Sequence, residues 1–538
     1  MKRFVIILLL LVSPAVFAQQ TIFSLMQGPV KLGDQEFEHK DYKKAIEFYN
    51  TAIDRDRDNA EVLSKLGQCY FLLKDFRMYI ATMDKMAGSG GKLSATELFN
   101  YAEAQSAVGN YADAIVYYKR SLDRDPENEL VSKKIWALSN IRFLHEDSAH
   151  YHVRLADQIN TRASEMGPAV YSNGIVFTSN RKGTRPVDMA SEEAAGPFYE
   201  LYVVEWKEDT TAKSKIWSRP SRFARSLDMS FNVGPVALYN HRKSMVFVAS
   251  SQRAGDNGSR TLGLYFAELK DSGWRMVSAW PYNSENYSIS DVTINDEGTR
   301  LYFSSNMKGG LGGRDIYTST LTGGTWSKPV NPGEAINTKG NETFPYLHRN
   351  GTLYFSSDGL PGIGGLDIFQ SAIKPNGYSE PENVGYPINS HGDDFALTFD
   401  SLATHGYFTS NRVNGGLDDD IYEFEMDLQT YPFQLTGVLK YKEHTWSDTT
   451  EIQSWPNMKL TLVDTWQNTE VQETTSGPDG VFTLTIPYFS RYHIAVTDEN
   501  GHPHKASLEL EKYRTETFMY EIVVVKELFA NLNDPGNR

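Results

Sequence analysis

The sequence predicts a multidomain protein, helical in its N-terminal part and all-β in the remainder. Three observations support this fold class. A helical pattern recurs at offsets of 34 and 35 residues within 28–145, a strand phrase recurs within 148–430, and evenly spaced strands fill 433–526. Since the chain has 538 residues, it is longer than one hydrophobic core usually serves, and several domains are expected.

Residues 1–18 have the pattern of a secretory signal peptide. Lys2 and Arg3 form a positive start, Phe4 to Val12 form an apolar core, and Val16-Phe17-Ala18 supplies the cleavage site. Cleavage after Ala18 predicts an exported, soluble mature protein. The apolar run is shorter than the roughly 20 residues of a spanning helix. No cysteine follows the cleavage site for a lipid anchor, so direct membrane insertion is not expected.

The charge balance argues against nucleic acids and anionic lipid surfaces as partners. The formal net charge is −15, or −17 once Lys2 and Arg3 are removed, and both kinds of partner need basic surfaces. Cys69 is the only cysteine, so an intramolecular disulfide is impossible and stability must come from packing. We expect Cys69 to be a core residue of a helix.

The helical region, 28–145, contains three related units. They share small residues, tyrosines at recurring positions and, in the third unit, a proline: Gly33, Ala45, Tyr49 and Ala52; Gly67, Tyr79, Met83 and Met86; Tyr101, Ala102, Ala114, Tyr118 and Pro126. The pattern resembles the tetratricopeptide repeat, whose paired helices stack into an α-solenoid. The middle unit departs from it, with bulky Tyr79 and Met86 where small residues are usual.

The resemblance implies that an extended partner peptide binds along the first helices of the repeats. By register, that face carries nine candidate partner-binding residues: Asp34, Phe37, Glu61, Ser64, Gln68, Phe71, Phe99, Glu103 and Ser106. A groove that is both acidic and aromatic suits a basic or apolar segment. In the alternative interpretation, the three phenylalanines simply pack between neighbouring helices.

The region 148–430 repeats one phrase, clearest at Leu301–Asn306, where a glycine-rich loop and Asp315-Ile316-Tyr317 follow. The equivalent phenylalanines are spaced by 70, 56, 52 and 53 residues: Phe177, Phe247, Phe303, Phe355 and Phe408. A strand-rich repeat of this length is typical of β-propeller blades, and the phrase resembles that of TolB-type propellers. We predict five blades, with six as the alternative.

Within the phrase, six residues are predicted to be structural: Phe303, Asp315, Phe355, Asp367, Phe408 and Asp420. Each aspartate is expected to accept backbone N–H groups of the glycine-rich loop. One blade reads directly as strands at Thr343–Leu347, Thr352–Ser356 and Leu366–Ala372, with an outer strand near Asn383–Ile388. The last blade lacks an outer strand of its own. Tyr151–Asn160 resembles the outer-strand phrases and is predicted to supply it, which would remove an exposed sheet edge.

The final strands, within 433–526, predict a small β-sandwich. Leu435–Leu439, Met458–Val463, Ser476–Leu484 and Tyr492–Val496 are evenly spaced and joined by hairpin turns. Their order resembles the carboxypeptidase regulatory-like domain, a transthyretin-type sandwich without a catalytic role.

No catalytic, cofactor or metal site is predicted. The sequence has no G-x-S-x-G, H-E-x-x-H or P-loop motif. Two groups of histidines lack a closed set of metal ligands and are expected in exposed loops. The first group is His145, His150 and His152, and the second is His502 and His504. Asp418-Asp419-Asp420 looks like a calcium cluster in isolation, but Asp420 aligns with the structural aspartates of the phrase.

The order of signal peptide, tetratricopeptide repeats, propeller and sandwich resembles PorE-type envelope proteins of Bacteroidota, which are associated with type IX secretion and gliding. The resemblance implies a periplasmic protein, associated with the outer membrane through a β-barrel or secretion-system subunit. Such proteins commonly continue into an OmpA-like domain that binds peptidoglycan. Here only a short tail, 527–538, follows the sandwich, so direct peptidoglycan binding is not expected.

These features favour a non-enzymatic scaffold that binds partner proteins through its repeats and its propeller. Two alternatives belong to other classes. One is a propeller hydrolase or lyase acting on glycans or peptides, which needs carboxylates or histidines that converge at the central channel. The other is a ligand sensor that binds a sugar or peptide in the propeller mouth.

Overall fold

The computed structural model describes residues 28–146, 148–181, 198–209, 214–227, 232–251, 253, 260–271, 273–400, 404–413, 416–427, 432–443, 452–465, 469–487, 492–498, 501, 503–508, 510 and 519–526. The predicted signal peptide, 1–18, and the tail, 527–538, lie outside these residues. The chain divides into two compact units, Met1–Glu425 and Met426–Arg538.

The first unit begins with helices that pack as antiparallel pairs. Those in the described part are α1 Pro29–Glu38, α2 Tyr42–Arg55, α3 Ala60–Leu72, α4 Phe76–Gly88, α5 Ala95–Ala107, α6 Tyr111–Leu122 and α7 Glu129–Ser139. Side chains that favour capping positions define their starts. For example, Ser94 and Glu97 form a capping box at the start of α5, in which each side chain satisfies a backbone N–H of the other.

Glycine allows the helices of the first two pairs to approach closely. A Cβ at Gly33 would lie 2.6 Å from the Tyr49 ring, and one at Gly67 would lie 2.7 Å from the Met83 sulfur. The bulky Tyr79 of the middle unit is buried all the same, with 2% of its surface exposed. The larger side chains of this unit therefore occupy the helical core, as does Cys69.

Residues 151–426, which follow the helices and end one residue beyond the first unit, are called the sheet region. Their described residues form five antiparallel sheets. Sheet 1 contains β2 Glu165–Tyr171, β3 Gly174–Ser179, β4 Glu200–Asp209, β5 Ser214–Trp217 and β6 Ser221–Arg222. Sheet 2 contains β7 Val233–Tyr239, β8 Ser244–Ser250, β9 Leu262–Lys270 and β10 Gly273–Ala279. Sheet 3 contains β11 Ile289–Ile294, β12 Arg300–Ser305, β13 Asp315–Thr322 and β14 Thr325–Trp326.

Sheet 4 contains β15 Glu342–Leu347, β16 Thr352–Ser357, β17 Asp367–Lys374, β18 Gly377–Tyr378 and β19 Glu382–Asn383. The outer strand predicted near Asn383–Ile388 overlaps the observed pairing only at its start. Both β18 and β19 pair with β17, and the N–H of Val384 makes one further bond to the carbonyl of Ile368 at 3.1 Å. Sheet 5 contains β20 Asp394–Phe399, β21 His405–Ser410, β22 Asp420–Met426 and β1 Tyr151–Leu155.

The outer strand of sheet 5 comes from the N-terminal side of the sheet region, as the sequence predicted. β1 pairs with β22, and just beyond it the N–H of Ala156 donates to the carbonyl of Ile421 at 3.0 Å. Ala156 and Ile159 are buried in a cluster that includes residues of sheet 1 and sheet 5. The two ends of the sheet region are therefore joined within one sheet.

The first strands of the sheets contact one another in cyclic order: β2 with β7, β7 with β11, β11 with β15, β15 with β20, and β20 with β2. Each of them also has an irregular register near its beginning. In sheets 4 and 5 the irregularity places Phe344 and Ala396 at φ values of 48° and 55°. Such left-handed backbone is strained for residues other than glycine.

A polar clamp recurs where one sheet leads to the next. Asn337 Oδ1 accepts the N–H of Ile316 at 2.8 Å, and its Nδ2 donates to the carbonyl of Ile316 at 2.9 Å. The same two bonds join Asn389 to Ile368 and Asn160 to Ile421. The asparagine amide thus pairs with the third strand as another strand would, which explains why the Ile-Asn phrase recurs.

The predicted structural aspartates lie at the start of the third strands and are buried. Asp315 accepts the N–H of Leu311 at 3.0 Å, and Asp367 accepts those of Ile363 and Gly364 at 3.1 and 3.0 Å. Asp420 occupies the same place in sheet 5. The phenylalanines of the phrase, Phe303, Phe355 and Phe408, are 0 to 1% exposed.

Replacing Asp367 by Ala should lower the free energy of unfolding by about 1 to 3 kcal/mol, because two buried N–H groups lose their acceptor. Urea unfolding would measure the change. Glu380→Ala, at an exposed position in the connection between β18 and β19, is the control and should change stability by less than about 0.5 kcal/mol. Unchanged stability in Asp367→Ala would contradict a structural role.

The effect of Asp367 should also depend on pH. Burial, together with the Asp394 carboxylate, raises the pKa of Asp367 to about 7, compared with about 3.9 in an unfolded chain. The folded chain therefore binds more protons in this range, and the stability linked to this carboxyl falls as the pH rises through about 7. The stability advantage of wild type over Asp367→Asn should be larger at about pH 5 than at about pH 8.

In the second unit, the described residues form two four-stranded sheets. Its strands are β23 Phe433–Glu443, β24 Gln453–Ser454, β25 Lys459–Asp464, β26 Thr469–Thr475, β27 Val481–Ile486, β28 Tyr492–Thr497, β29 Pro503–Leu508 and β30 Met519–Lys526. β24, β23, β27 and β30 form one sheet, and β26, β25, β28 and β29 form the other. Leu435 and Leu439 of one sheet share a buried cluster with Leu460 and Leu462 of the other.

Candidate functional site

The candidate partner-binding residues of the repeats are mostly engaged within the protein. Asp34 accepts from the Tyr49 hydroxyl at 2.8 Å and pairs with Lys65 at 3.0 Å. Ser64 donates to Glu97 at 2.6 Å. Glu103 pairs with the buried Lys134 at 3.0 Å and accepts from the Tyr118 hydroxyl. These side chains connect neighbouring helices of the repeats.

The three phenylalanines of the predicted groove pack against aromatic neighbours. The ring centroids of Phe37 and Tyr42 are 5.3 Å apart, those of Phe71 and Tyr79 are 5.2 Å apart, and those of Phe99 and Tyr118 are 5.8 Å apart. All three phenylalanines are half-buried. Glu61 and Gln68 are the two candidate residues that are exposed. The part of the predicted groove open to a partner is therefore smaller than the sequence suggested.

Ser106 corrects the sequence prediction most clearly. It is 4% exposed, and its hydroxyl donates at 3.3 Å to the carbonyl of Ile363, in the glycine-rich loop of sheet 4. The end of α5 therefore faces the sheet region, and Ser106 is not accessible to a partner. Because 257 residues separate the two positions, no local pattern in the sequence could have predicted this contact.

The turn between α3 and α4 makes the main ionic contact with the sheet region. Lys74 lies in this turn with φ of 58°, and its ammonium pairs with Asp393. Asp393 also accepts from Asn411 Nδ2 at 2.8 Å and from the N–H of Leu366 at 3.1 Å. Burial alone would raise the pKa of Asp393, but Lys74 and these donors lower it below its ordinary value.

A second contact lies near the end of the helical region. The N–H of Tyr386 donates to the carbonyl of Leu144 at 2.6 Å. The His145 ring stacks on the Tyr386 ring with centroids 4.4 Å apart. This histidine, which the sequence offered only as a weak candidate metal ligand, therefore packs in the contact between the helical region and sheet 4.

The acidic run Asp418-Asp419-Asp420 lies close to the Lys74 contact. Burial raises the pKa of Asp419 to about 6, an effect that Lys74 partly offsets and Asp393 strengthens. Within the described residues, no group of three histidine, cysteine, aspartate or glutamate side chains is arranged to hold a metal ion. His502 lies outside the described residues, and His504 contacts Asp498 at 3.2 Å.

A cavity of about 860 Å³ is lined by the first strands of all five sheets. Its walls combine polar and apolar surface, and the half-buried apolar residues among them include Val170, Pro235, Ala237 and Leu347. Charged and histidine side chains come from the turns that follow these first strands: His241, Arg242, Asp296, Glu297, His348, Arg349 and Asp400. Among them, Arg349 pairs with Asp296 at 3.1 Å. These turn residues are called the rim.

The rim and the repeats lie at opposite ends of the strands. The rim is formed by turns between first and second strands, whereas Ile363 and Gly416, which contact the repeats, belong to loops between second and third strands. In an antiparallel sheet these two kinds of connection lie at opposite ends of the strands. The helices therefore leave the rim uncovered in sheets 4 and 5.

Asp291 is the one carboxylate or histidine among the described lining residues that lies within a first strand rather than in the rim or at a strand end. It is 3% exposed. This residue was not predicted from the sequence, because the repeated phrase covers the second and third strands and does not include the first. The register irregularity that precedes it, next to Ser290, was not visible in the sequence either.

No helix in the described part of the chain combines the length and apolar character needed to cross a membrane. Comparisons with known proteins support the repeats directly. A TPR-repeat family matches residues 33–74, and a tetratricopeptide-repeat family matches residues 98–128. The chain therefore contains two tetratricopeptide repeats in its N-terminal region, a kind of repeat that generally mediates protein–protein interaction.

No curated protein matches the sequence. Among solved structures, a mannose phosphorylase from Leishmania mexicana is similar with 11% identity and a TM-score of 0.32, covering 55% of this chain and 94% of that one. The soluble aldose sugar dehydrogenase from Escherichia coli shares 8% identity with a TM-score of 0.30, covering 51% of this chain and 99% of that one. Likenesses this distant establish neither an activity nor a substrate.

Proposed function

We propose that the protein is a non-enzymatic adaptor that binds partner proteins through its repeats and through its sheet region. One observation carries this proposal. The helical repeats contact the sheet region through Lys74, Ser106 and Leu144, at the end of the strands opposite the rim. Two surfaces are thereby presented in a fixed relation within one unit. Two modest contacts on one chain give strong retention, because the second becomes effectively intramolecular.

The sheet region is, in this proposal, a five-bladed β-propeller. The cyclic contacts of the first strands and the pairing of β1 with β22 support this interpretation. In such a ring each sheet is one blade, the first strands line a central channel, and closure by the two chain ends protects the outermost edges. The cavity described above corresponds to that channel.

The proposed location is the periplasm, at the outer membrane, as an accessory of type IX secretion or gliding. Support comes from the signal-peptide pattern at 1–18 and from the resemblance of the domain order to PorE-type envelope proteins. The expected partner is an outer-membrane β-barrel or a secretion-system subunit. The second unit, with its two-sheet core, would be the carboxypeptidase regulatory-like domain of this arrangement.

The alternatives differ in what the cavity must contain. A hydrolase or lyase needs several converging carboxylates or histidines, whereas Asp291 stands apart from the other described ionisable lining residues, which belong to the rim and its flanks. A ligand sensor needs an accessible cavity of suitable size. About 860 Å³ is within the range of small-molecule sites, so this second candidate has a specific observation in its favour.

Photo-crosslinking in intact envelopes tests the adaptor function. A photoreactive residue at Gln68, exposed on the first helix of the middle repeat, or at Glu297 on the rim should give discrete crosslinked products with envelope proteins. Asp54, exposed on α2 outside the predicted groove, is the matched control and should give none. Mass spectrometry would identify the partners. Equal yields from all three positions would contradict specific binding at the groove and the rim.

A further inference from the structure

The cavity contains a buried carboxylate that the fold does not neutralise. Asp291 forms no ion pair with any described residue. Its two hydrogen bonds from described residues both go to Oδ2, from the Ser290 hydroxyl at 2.6 Å and from the N–H of Phe344 at 3.4 Å. Oδ1 accepts no bond within the described part of the chain. A buried carboxylate is normally paired or fully hydrogen-bonded, because its desolvation is costly.

The nearest cation does not compensate for this. Burial raises the pKa of Asp291, and Arg314 and the Ser290 hydroxyl only partly oppose the shift. Nη1 of Arg314 is buried without a described partner, and no ion pair joins Arg314 to Asp291 within the described residues. The charged groups of the rim belong to turns at the far end of the same strands. Asp291 therefore has capacity for a cation that enters the cavity.

The surroundings of Asp291 suit an organic cation on an apolar stem. Phe344, beside it, lines the cavity from a strained backbone position, and its ring lies 4.6 Å from that of Phe395 between centroids. Aromatic faces attract ammonium and guanidinium groups. Among the lining residues, Pro235, Ala237 and Leu347 are half-buried and offer apolar contacts to methylene groups. A hydrated metal ion would gain little from these residues, whereas an alkyl chain would bury apolar surface against them.

We propose that the cavity binds a primary ammonium or guanidinium group on an apolar stem, with the cation at Asp291 and the stem along the first strands. The source is either a free small amine or a lysine or arginine side chain of a polypeptide that enters from the rim. The volume of about 860 Å³ accommodates such a side chain with part of its backbone. This inference goes beyond the adaptor function and does not depend on it.

Calorimetric titration of the whole mature protein tests the inference with two probes. N-acetyl-lysine-methylamide carries the cation, and N-acetyl-norleucine-methylamide is its nearly isosteric neutral counterpart. The lysine probe should bind at least about tenfold more tightly, which corresponds to one charge-assisted hydrogen bond. Equal affinity for the two probes, or no binding of the lysine probe, would overturn the proposal. This comparison requires no variant, so it does not depend on whether a variant folds.

A pair of variants locates the site. Asp291→Asn should weaken binding of the lysine probe by about tenfold or more, with its melting temperature recorded as a check of folding. Glu380→Gln removes an exposed carboxylate that does not line the cavity and should change affinity by less than about twofold, because exposed charges contribute little. Retained affinity in a folded Asp291→Asn protein would refute the assignment of the cation to this residue.

The same titration distinguishes the two sources. A heptapeptide with one central lysine and glycine elsewhere presents the same cation on a polypeptide. Tighter binding than the single-residue probe indicates a partner segment that enters from the rim. Weaker binding, with the single-residue probe still favoured over norleucine, indicates a free small amine. Failure of the adaptor function would appear separately, in the crosslinking yields.

Discussion

A chain that begins at Ser164 is expected to aggregate, whereas one that begins at Asp147 should stay soluble and monomeric. Both chains lack the helical repeats, so the loss of that packing surface is common to them. They differ in β1 and in the segment that follows it. The comparison therefore isolates the outer strand of sheet 5.

The segment supplies three kinds of stabilisation to sheet 5. β1 pairs with β22, so its loss exposes a row of unpaired backbone groups that can recruit another chain. Asn160 contributes two hydrogen bonds to Ile421, each 2.8 Å long. Ile159, 1% exposed, is part of the cluster that includes Val204 of sheet 1 and Tyr407 of sheet 5. The shorter chain would lose a buried apolar contact as well as a strand.

Size-exclusion chromatography with light scattering would measure the outcome for both chains. The expected results are a single monomer peak for the longer chain and high-mass species, or loss of soluble protein, for the shorter one. If both are monomeric with equal melting temperatures, pairing of β1 with β22 does not close the sheet region in solution. A third chain that begins at Asp147 and carries Asn160→Ala should fall between them, because it keeps the strand but loses the clamp.

The sequence predicted this outer strand because of a property that repeats. Ile159-Asn160 matches Ile336-Asn337 and Ile388-Asn389, and the structure shows that each asparagine amide pairs with the main chain of the third strand. An asparagine that replaces a strand in this way must occupy a fixed register position. It therefore recurs at the same place in each unit and can be recognised in the sequence. Helix pairs likewise appear in the sequence, because Gly33 and Gly67 must admit Tyr49 and Met83.

Features that occur once in the chain were not predictable in this way. Lys74 and Asp393 are 319 residues apart. Within the described residues, the equivalent positions of the other repeats and sheets form no such ion pair. Asp291 belongs to a first strand whose register shifts by a residue before it. A side chain's face in a strand depends on that register, so the cavity and its carboxylate could only be found from the structure.

Arg412→Met is expected to lower the free energy of unfolding of the first unit by about 3 to 5 kcal/mol, because it leaves a buried carboxylate without its cation. Arg412 Nη2 lies 2.6 Å from Asp394, whose side chain is 0% exposed. Its two terminal nitrogens also donate to the carbonyls of Pro387 and Ile388 at 2.9 and 2.6 Å. The variant keeps the apolar stem of the side chain, so most of the expected loss arises from the charge and its hydrogen bonds.

The control for this prediction is Arg349→Met on the rim. Arg349 pairs with Asp296 at 3.1 Å, but its side chain is 67% exposed, and exposed pairs contribute about 0 to 1 kcal/mol. Urea unfolding of the two variants, followed by tryptophan fluorescence, would separate the two cases. If both variants lost the same small amount of unfolding free energy, the Asp394 carboxylate would be neutralised or hydrated in solution. Asp394 would then be held only by its hydrogen bonds from Ser390. A loss of stability confined to Arg412→Met would show that the ion pair stabilises the contact between the start of β20 and the end of β21. Both strands belong to sheet 5, the sheet that β1 completes.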